Sequence, residues 1–255
     1  SINNFKNKNI VNETNIRNAE RLVQKYKITE NEILDNIVNK VPDFKLCVKK
    51  DVINTSTTPP SPILFIIDNF YINPMETRRH ILQQEFKIRG NYPGQRTISY
   101  ATQEICNMIQ KWIYPFGGKI THFPMEKNDS NYNGAFQYTT SKDRSWVHVD
   151  SWNNWAGVLY LTPNAPINSG TGLYRFKDGT RFDHEQKIRG NVDEINKYTQ
   201  DVTQWELVDK VGNIFNRLVI FNSNSFHMSM DYFGHDKETG RLFQVFFFST
   251  EKQVC

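Results

Sequence analysis

The motif Val147-His148-Val149-Asp150 contains two metal-binding side chains whose spacing would place them together on one face of a β-strand. Side chains two positions apart in a strand point to the same side of the sheet, so the imidazole and the carboxylate can reach one point in space. A third ligand is expected from a later strand that lies alongside. His227 begins a later segment of β-type sequence, and we therefore predict that His148, Asp150 and His227 bind one metal ion.

Two histidines and one carboxylate occupy one face of an octahedron and leave three coordination positions open, which is the arrangement in non-heme Fe(II) oxygenases. The His-x-Asp pattern alone arises easily by chance, and its combination with a histidine at the start of a late strand is more specific. The open positions require a co-substrate that drives oxygen reduction. 2-Oxoglutarate can bind iron through its keto acid end, and its far carboxylate would then be held by the protein.

Arg241 is the predicted partner of that carboxylate, because a guanidinium makes two parallel charge-assisted hydrogen bonds to a carboxylate. It opens the segment Arg241-Leu-Phe-Gln-Val-Phe-Phe-Phe-Ser, whose apolar residues predict a buried strand. A buried arginine without an anion is energetically costly. The alternative places Arg241 at the exposed edge of the strand, where it would pair with Asp231 or Glu238.

Short β-type segments separated by turn residues dominate the chain after residue 119 and predict a β-sandwich or barrel. The eight segments are residues 120–123, 134–139, 155–161, 171–176, 205–211, 217–221, 227–232 and 241–249. Residues 63–70 predict a further strand. Helices are predicted from Pro74, with Asn73 as N-cap, through about Gln84, and at residues 101–114. Residues 185–199 interrupt the β pattern as a helical insertion.

The sequence divides into three parts by composition. Residues 1–55 are polar with helical periodicity, which predicts a helical N-terminal arm. Residues 56–62 contain three prolines among hydroxyl side chains and predict a linker. Residues 63–255 are then expected to form the β domain that carries the metal ligands.

The net charge, the length of the apolar runs and the cysteine spacing limit which kinds of partner and compartment are expected. A net charge of +4 over 255 residues, with no basic stripe, argues against a nucleic-acid partner. No apolar run approaches the roughly 20 residues that span a bilayer, so no membrane association is expected. The three scattered cysteines form no metal-type spacing and favour a reducing compartment, and we expect the cytoplasm. The sequence does not indicate an oligomeric state.

Five segments accompany the His-x-Asp motif in a recognisable order. They are Ile66-Ile-Asp-Asn-Phe-Tyr-Ile-Asn-Pro-Met-Glu, Phe136-Gln-Tyr138, Val158-Leu-Tyr-Leu with Ser169-Gly-Thr-Gly-Leu-Tyr, Leu218-Val-Ile-Phe-Asn-Ser-Asn-Ser-Phe-His227, and Gly240-Arg241-Leu-Phe. Together they make residues 63–249 resemble the prolyl-hydroxylase-like branch of the Fe(II)/2-oxoglutarate-dependent dioxygenases. The chain departs from that pattern in a longer insertion after Phe182 and in a wider spacing between His227 and Arg241.

The resemblance implies a double-stranded β-helix with flanking helices, with Fe(II) and 2-oxoglutarate as cofactor and co-substrate. It implies that Tyr138, ten residues before His148, joins Arg241 in holding 2-oxoglutarate. The implied reaction is hydroxylation of a C–H bond with release of succinate and carbon dioxide. A peptide or protein residue is the preferred substrate, by analogy with this branch, and a small molecule is the other possibility.

Four further residues are candidate substrate contacts, namely Trp152, Trp155, Arg96 and Arg144. The alternatives are packing for the tryptophans and solvent exposure for the arginines. Two other functions stay open at this point. A cupin-like metal enzyme that does not use 2-oxoglutarate would not need Arg241. A non-catalytic β-sandwich recognition module would bind metal weakly and keep its fold after His148→Ala.

Overall fold

The computed structural model describes residues 62–127, 130, 132–150, 152–177, 179, 199 and 201–252. The predicted N-terminal arm at residues 1–55 and nearly all of the linker at 56–62 lie outside the described residues, as does almost all of the insertion at 185–199. The arm, the linker and the insertion therefore stay predictions.

The described residues form ten β-strands and two α-helices. In chain order these are β1 (Leu64–Ile67), α1 (Pro74–Leu82), β2 (Gln95–Ser99), α2 (Gln103–Gly117), β3 (Ile120–His122), β4 (Ala135–Thr139), β5 (Trp155–Tyr160), β6 (Thr171–Phe176), β7 (Trp205–Val211), β8 (Leu218–Asn222), β9 (His227–Ser229) and β10 (Arg241–Thr250). A short 3-10 helix, Val202–Gln204, leads into β7.

The strands make two antiparallel sheets. The main sheet has the spatial order β1, β8, β5, β10, β4, β2, and β3 pairs with the end of β10. The second sheet has the order β7, β6, β9. Strands that are distant in sequence lie side by side, so β10 at the end of the chain runs between β5 and β4.

The two faces of the main sheet bury different side chains. One face, called here the helix face, packs Trp155 and Leu242 in a common cluster with Ile109 of α2. The other, called here the inner face, packs Phe243 in a common cluster with Leu173 of the second sheet. Because side chains alternate along a strand, a shift of one residue decides whether a side chain reaches the helices or the space between the sheets.

Local sequence explains where the two helices begin. Asn73 is the N-cap residue of α1, and Pro74 occupies the first helical position. A backbone N–H at this position would have no acceptor within the helix, so proline costs no hydrogen bond there. The Thr102 side chain accepts a hydrogen bond from the backbone N–H of Ile105 at 3.3 Å and caps α2. Gly118, with a φ of +76°, ends α2 in a conformation that favours glycine.

The predicted fold class is confirmed. Two antiparallel sheets that enclose a shared core, with helices on the outer face of one sheet, form a double-stranded β-helix. The predicted strands and helices recur within a few residues of their expected ends. One element was not predicted, because β2 (Gln95–Ser99) lies outside all the segments that the sequence marks as strands or helices. Among the described residues, no helix has the length and apolar composition needed to cross a membrane.

Candidate metal centre

The backbone brings His148 and His227 together. The two residues form an isolated antiparallel bridge, with the N–H of His148 donating to the His227 carbonyl at 3.0 Å and the reverse bond at 2.9 Å. Residues directly opposite each other in such a pair project to the same side. Their ring centroids lie 4.3 Å apart. The Asp150 N–H then donates to the Ser223 carbonyl at 2.8 Å, which fixes the third ligand beside them.

Each imidazole is oriented by its own backbone. Nδ1 of His148 lies 2.9 Å from the carbonyl oxygen of Trp146, and Nδ1 of His227 lies 2.9 Å from that of Ser225. A carbonyl accepts, so Nδ1 carries a proton in both rings and Nε2 is the ring atom left to bind a metal ion. Hydrogen bonds of this kind fix the tautomer of metal-binding histidines.

The three side chains converge with Nε2 of each histidine toward the carboxylate. Asp150 Oδ2 lies 3.1 Å from His227 Nε2, and Asp150 Oδ1 lies 3.9 Å from His148 Nε2. One ligand atom from each residue lies within 4.8 Å of the other two. Adjacent ligands about 2.1 Å from an octahedral ion are about 3 Å apart. Small side-chain movements would therefore close this set on one cation.

The charge states suit a divalent cation. Burial and the neighbouring His227 imidazole lower the pKa of His148 to about 4, so this ring is neutral at pH 7. Burial acts to raise the pKa of Asp150, but His227 and His148 outweigh it and lower that pKa to about 2. Asp150 is therefore an anion at any pH where the protein is folded in ordinary buffers. A metal ion displaces no proton from either side chain.

The metal ligands face a cavity on the inner face of the main sheet. Val158 and Phe243 line it from the main sheet, and Thr171 and Ser229 line it from the second sheet. Most of its wall from the main sheet is apolar, with Gln137 and Arg96 as the polar side chains of that wall. Pockets of this composition bind small ligands through a small number of placed polar contacts.

Arg241 lies beside this cavity and is fully buried, with 0% of its surface exposed. Its Nε donates to the Ser169 carbonyl at 2.8 Å, and its Nη2 is 3.4 Å from the Gly170 carbonyl. Its Nη1 is buried and has no hydrogen-bond partner among the described residues. The guanidinium carbon lies 4.3 Å from the ring centroid of Phe243, so Arg241 adjoins the cavity through a residue that lines it.

The exposed-edge alternative for Arg241 is therefore wrong, since neither Asp231 nor Glu238 pairs with a guanidinium that is fully buried. Burial lowers the pKa of Arg241, as expected for a cation removed from water. A buried donor without a partner is rare in a native protein and calls for an explanation. An anion that enters from the cavity would supply the missing acceptor.

Two hydroxyl residues near Arg241 were not predicted as site residues. Tyr160 Oη lies 2.7 Å from Thr171 Oγ1, and the Tyr160 ring centroid is 5.3 Å from the guanidinium carbon of Arg241. Both residues stand in segments that the sequence identifies as strands. Their position beside Arg241 depends on which face each strand turns inward, and the sequence alone gives no strand register.

The structure does not bring Tyr138 into the cavity. Its ring packs edge-on against Phe86, with the ring centroids 5.2 Å apart, on the helix face of β4. The alternation of side chains instead directs Gln137 to the inner face, where it lines the cavity. Tyr138 thus lies outside the cavity lining, and its predicted contact with 2-oxoglutarate stays a prediction that this placement does not support.

Three of the four candidate substrate contacts also lie elsewhere. Trp155 is fully buried on the helix face, and its Nε1 donates to Thr250 Oγ1 at 3.0 Å. Trp152 is 80% exposed and does not line the cavity. Arg144 is exposed and donates to the carbonyls of Ser141 and Asp143. Only Arg96, on β2, lines the cavity together with the metal ligands.

The fold and the three converging side chains define a double-stranded β-helix protein with a His-Asp-His candidate metal centre. The chain belongs to the family DUF6445, described as a family of unknown function, which matches residues 52–248. No curated protein matches the sequence.

Solved structures share the architecture at low sequence identity. HygX from Streptomyces hygroscopicus, determined with nickel and 2-oxoglutarate bound, is 9% identical over 80% of this chain and 87% of its own, with a TM-score of 0.50. A Trichoplax adhaerens prolyl hydroxylase in complex with a hypoxia inducible factor peptide fragment is 14% identical over 75% and 85% of the two chains, with a TM-score of 0.39. A Pseudomonas putida prolyl-4-hydroxylase is 16% identical over 74% and 93%, with a TM-score of 0.40. The likeness to HygX supports the fold.

Proposed function

We propose that this protein is an Fe(II)- and 2-oxoglutarate-dependent oxygenase that hydroxylates a C–H bond of its substrate. The observation that carries the proposal is the convergence of His148, Asp150 and His227, with both imidazole Nε2 atoms turned toward the carboxylate. The donor set, two neutral imidazoles and one carboxylate, is the set that non-heme Fe(II) oxygenases use.

The buried guanidinium of Arg241 supports 2-oxoglutarate as the co-substrate. Its Nη1 has no partner among the described residues, and an acceptor with a negative charge is the group that would best satisfy it. Tyr160 and Thr171 place two hydroxyl groups near it. We propose that the far carboxylate of 2-oxoglutarate binds here, with Arg241 as its charged partner.

When bound, Fe(II) and 2-oxoglutarate would supply the oxidising chemistry, in which dioxygen, 2-oxoglutarate and a C–H group give succinate, carbon dioxide and a C–OH group. The chain itself would hold both imidazole rings in a fixed orientation around the ion, through the backbone bonds to their Nδ1 atoms. The apolar wall, including Val158 and Phe243, would exclude water from the reacting groups.

The proposals for the substrate and the compartment come mainly from the sequence. A peptide or protein residue is proposed as the substrate from the sequence resemblance to the prolyl-hydroxylase-like branch. A reducing compartment, the cytoplasm, agrees with the free and buried thiol of Cys106.

The two other functions predict different behaviour of the same residues. A cupin-like metal enzyme without 2-oxoglutarate would leave the buried Nη1 of Arg241 without a purpose. A non-catalytic recognition module would have no need for two imidazoles whose Nδ1 atoms are both held by carbonyls. Both observations favour the oxygenase.

The test is an anaerobic titration of the purified full chain with Fe(II) and 2-oxoglutarate. A visible metal-to-ligand charge-transfer band is expected in the wild type and should be absent in Asp150→Ala. Glu206→Ala is the matched control, because Glu206 is an exposed carboxylate on β7 that pairs with Arg175. On admission of air, the wild type should form succinate without added substrate. A wild type with no band, or a band that survives in Asp150→Ala, would refute the proposal.

A further inference from the structure

Arg96 is held rigidly against the cavity of the metal centre. It is only 9% exposed and stands opposite Gln137 in the pairing of β2 with β4. Its Nε donates to Gln137 Oε1 at 2.6 Å, and its guanidinium carbon lies 3.7 Å from the ring centroid of Tyr92. These two contacts fix the plane of the guanidinium. They leave its Nη groups for the cavity that Arg96 lines.

No carboxylate among the described residues forms an ion pair with Arg96. The negative charge of Asp150, on the same cavity, acts on it from a longer distance. Burial lowers the pKa of Arg96 to about 10, against the opposing effects of Tyr92 and Asp150. Arg96 is thus a buried cation, whereas buried cations in proteins normally have a bound anion or a paired carboxylate.

The charges around the cavity do not balance with 2-oxoglutarate alone. A divalent metal ion and the two arginines Arg96 and Arg241 bring four positive charges, and metal-bound imidazoles are neutral. Asp150 and the two carboxylates of 2-oxoglutarate bring three negative charges. The described residues that line the cavity include no other ionic side chain. One positive charge therefore has no counter-charge. Because Arg241 would face the far carboxylate of 2-oxoglutarate, the uncompensated charge is that of Arg96.

We propose that Arg96 recognises a carboxylate of the primary substrate, so that the enzyme acts on an anionic substrate. The inference rests on the proposed function, because the charge balance includes the metal ion and 2-oxoglutarate. A planar guanidinium with free Nη groups matches a carboxylate better than it matches a neutral amide. The ring of Tyr92 keeps it in that orientation before the substrate arrives.

Arg96 and Arg241 serve different anions because they lie apart on the sheet. Arg241 of β10 is opposite Thr139, and Arg96 of β2 is opposite Gln137, so β4 runs between them. Two strand spacings separate them by about 10 Å across the sheet. The far carboxylate of 2-oxoglutarate can occupy only one of these positions, and the deeper one is at Arg241.

The test measures binding to the full chain loaded with Ni(II) and 2-oxoglutarate, so no turnover is needed. The probes are N-acetyl amino acids, each compared with its primary amide, and binding is followed by isothermal titration calorimetry. At least one carboxylate should bind, and its uncharged amide should bind at least tenfold more weakly. Arg96→Gln should weaken the carboxylate at least tenfold, and Arg96→Lys should weaken it less. Arg175→Gln, an exposed arginine paired with Glu206, should leave it unchanged.

Several results would overturn the inference. These are a panel in which no carboxylate binds, an amide that binds as well as its acid, and a carboxylate that binds Arg96→Gln as it binds the wild type. A loss of 2-oxoglutarate affinity in Arg96→Gln as large as that in an Arg241 variant would also overturn it. The charge-transfer band of each variant reports whether its fold and metal centre are intact. A wild type that forms this band but shows no carboxylate preference refutes only the substrate class, and a wild type without the band refutes the proposed function.

Discussion

Arg241→Met separates a co-substrate role of this arginine from a structural one. Methionine has a similar length and no charge. In the absence of 2-oxoglutarate, the substitution removes a buried cation whose Nη1 has no partner among the described residues, which is favourable. It also removes the 2.8 Å bond to the Ser169 carbonyl, whose loss costs about 1–3 kcal/mol. The two effects oppose each other, so we expect the stability of the free protein to change by less than about 2 kcal/mol.

The effect on 2-oxoglutarate binding should be much larger. Nε of Arg241 is already used by Ser169, which leaves Nη1 and part of Nη2 for the carboxylate. One or two charge-assisted hydrogen bonds of about 2 kcal/mol each then give a loss of roughly 2–4 kcal/mol. At about 1.4 kcal/mol per factor of ten, the dissociation constant should rise roughly 30- to 1,000-fold.

Two assays on the same samples test this prediction. Titration of the charge-transfer band gives the affinity for 2-oxoglutarate under anaerobic conditions. Thermal unfolding gives the second signal, since 2-oxoglutarate at about 100 times its dissociation constant stabilises the wild type by about 2.7 kcal/mol. At the same concentration the variant should gain less than about 1 kcal/mol. Arg175→Met is the surface control. An affinity retained within threefold, or a variant that unfolds without 2-oxoglutarate, would show that Arg241 is structural.

Three further predictions follow from the positions of single side chains. Tyr138→Phe should change the affinity for 2-oxoglutarate by less than about twofold, because Tyr138 packs on Phe86 at the helix face; a loss like that of Arg241→Met would contradict this placement. Trp155→Ala should lower the free energy of unfolding in urea by about 3–5 kcal/mol, and a loss below about 1 kcal/mol would contradict its place in the core. The metal-free protein should lose stability as the pH falls from about 6.5 to about 4, because the unfolded chain protonates His148 before the folded chain does. The free energy of unfolding should change by well under 1.4 kcal/mol per pH unit, since the His148 imidazole is about a third exposed. His148→Gln should flatten this pH dependence. Identical slopes in the wild type and the variant would refute the assignment of the pH dependence to His148.

The convergence of His148, Asp150 and His227 could be predicted from the sequence because most of its geometry is local. The spacing of His148 and Asp150 puts both on one side of an extended backbone whatever the rest of the fold does. His227 required one further step, the expectation that a late strand lies alongside. The hydrogen-bonded bridge between His148 and His227 supplies that step in the structure.

The cavity wall was harder to predict because it depends on strand register. Tyr138 and Gln137 are neighbours in sequence, and only their pairing with Leu242 and Phe243 shows which one faces inward. A β-strand buried on both faces has apolar side chains at every position, so its sequence does not mark the inner face. β10 is buried on both faces in this way, with nearly every residue buried from Arg241 to Phe248, although Arg241 and Gln244 are polar.

Arg96 was the most difficult residue to place, because its strand has no apolar pattern. The segment Gln95–Ser99 is polar, although three of its five residues are buried. Gly94 precedes it with a φ of +76°, and an added Cβ there would lie 1.9 Å from the Tyr138 carbonyl oxygen. Because Gly94 allows this close approach, the polar segment that follows it can pair with β4 at the edge of the main sheet. This pairing brings the guanidinium of Arg96 to the cavity.

The polar character of β2 is better explained by the site than by the fold. An apolar residue in place of Arg96 would fill the same edge position without the desolvation cost of a guanidinium. Stability alone therefore gives no clear reason for a cation at this position, or for Arg241, whose Nη1 is buried without a described partner. Two costly cations placed around one His-Asp-His set would be explained by the anions that we propose bind there, one at each arginine.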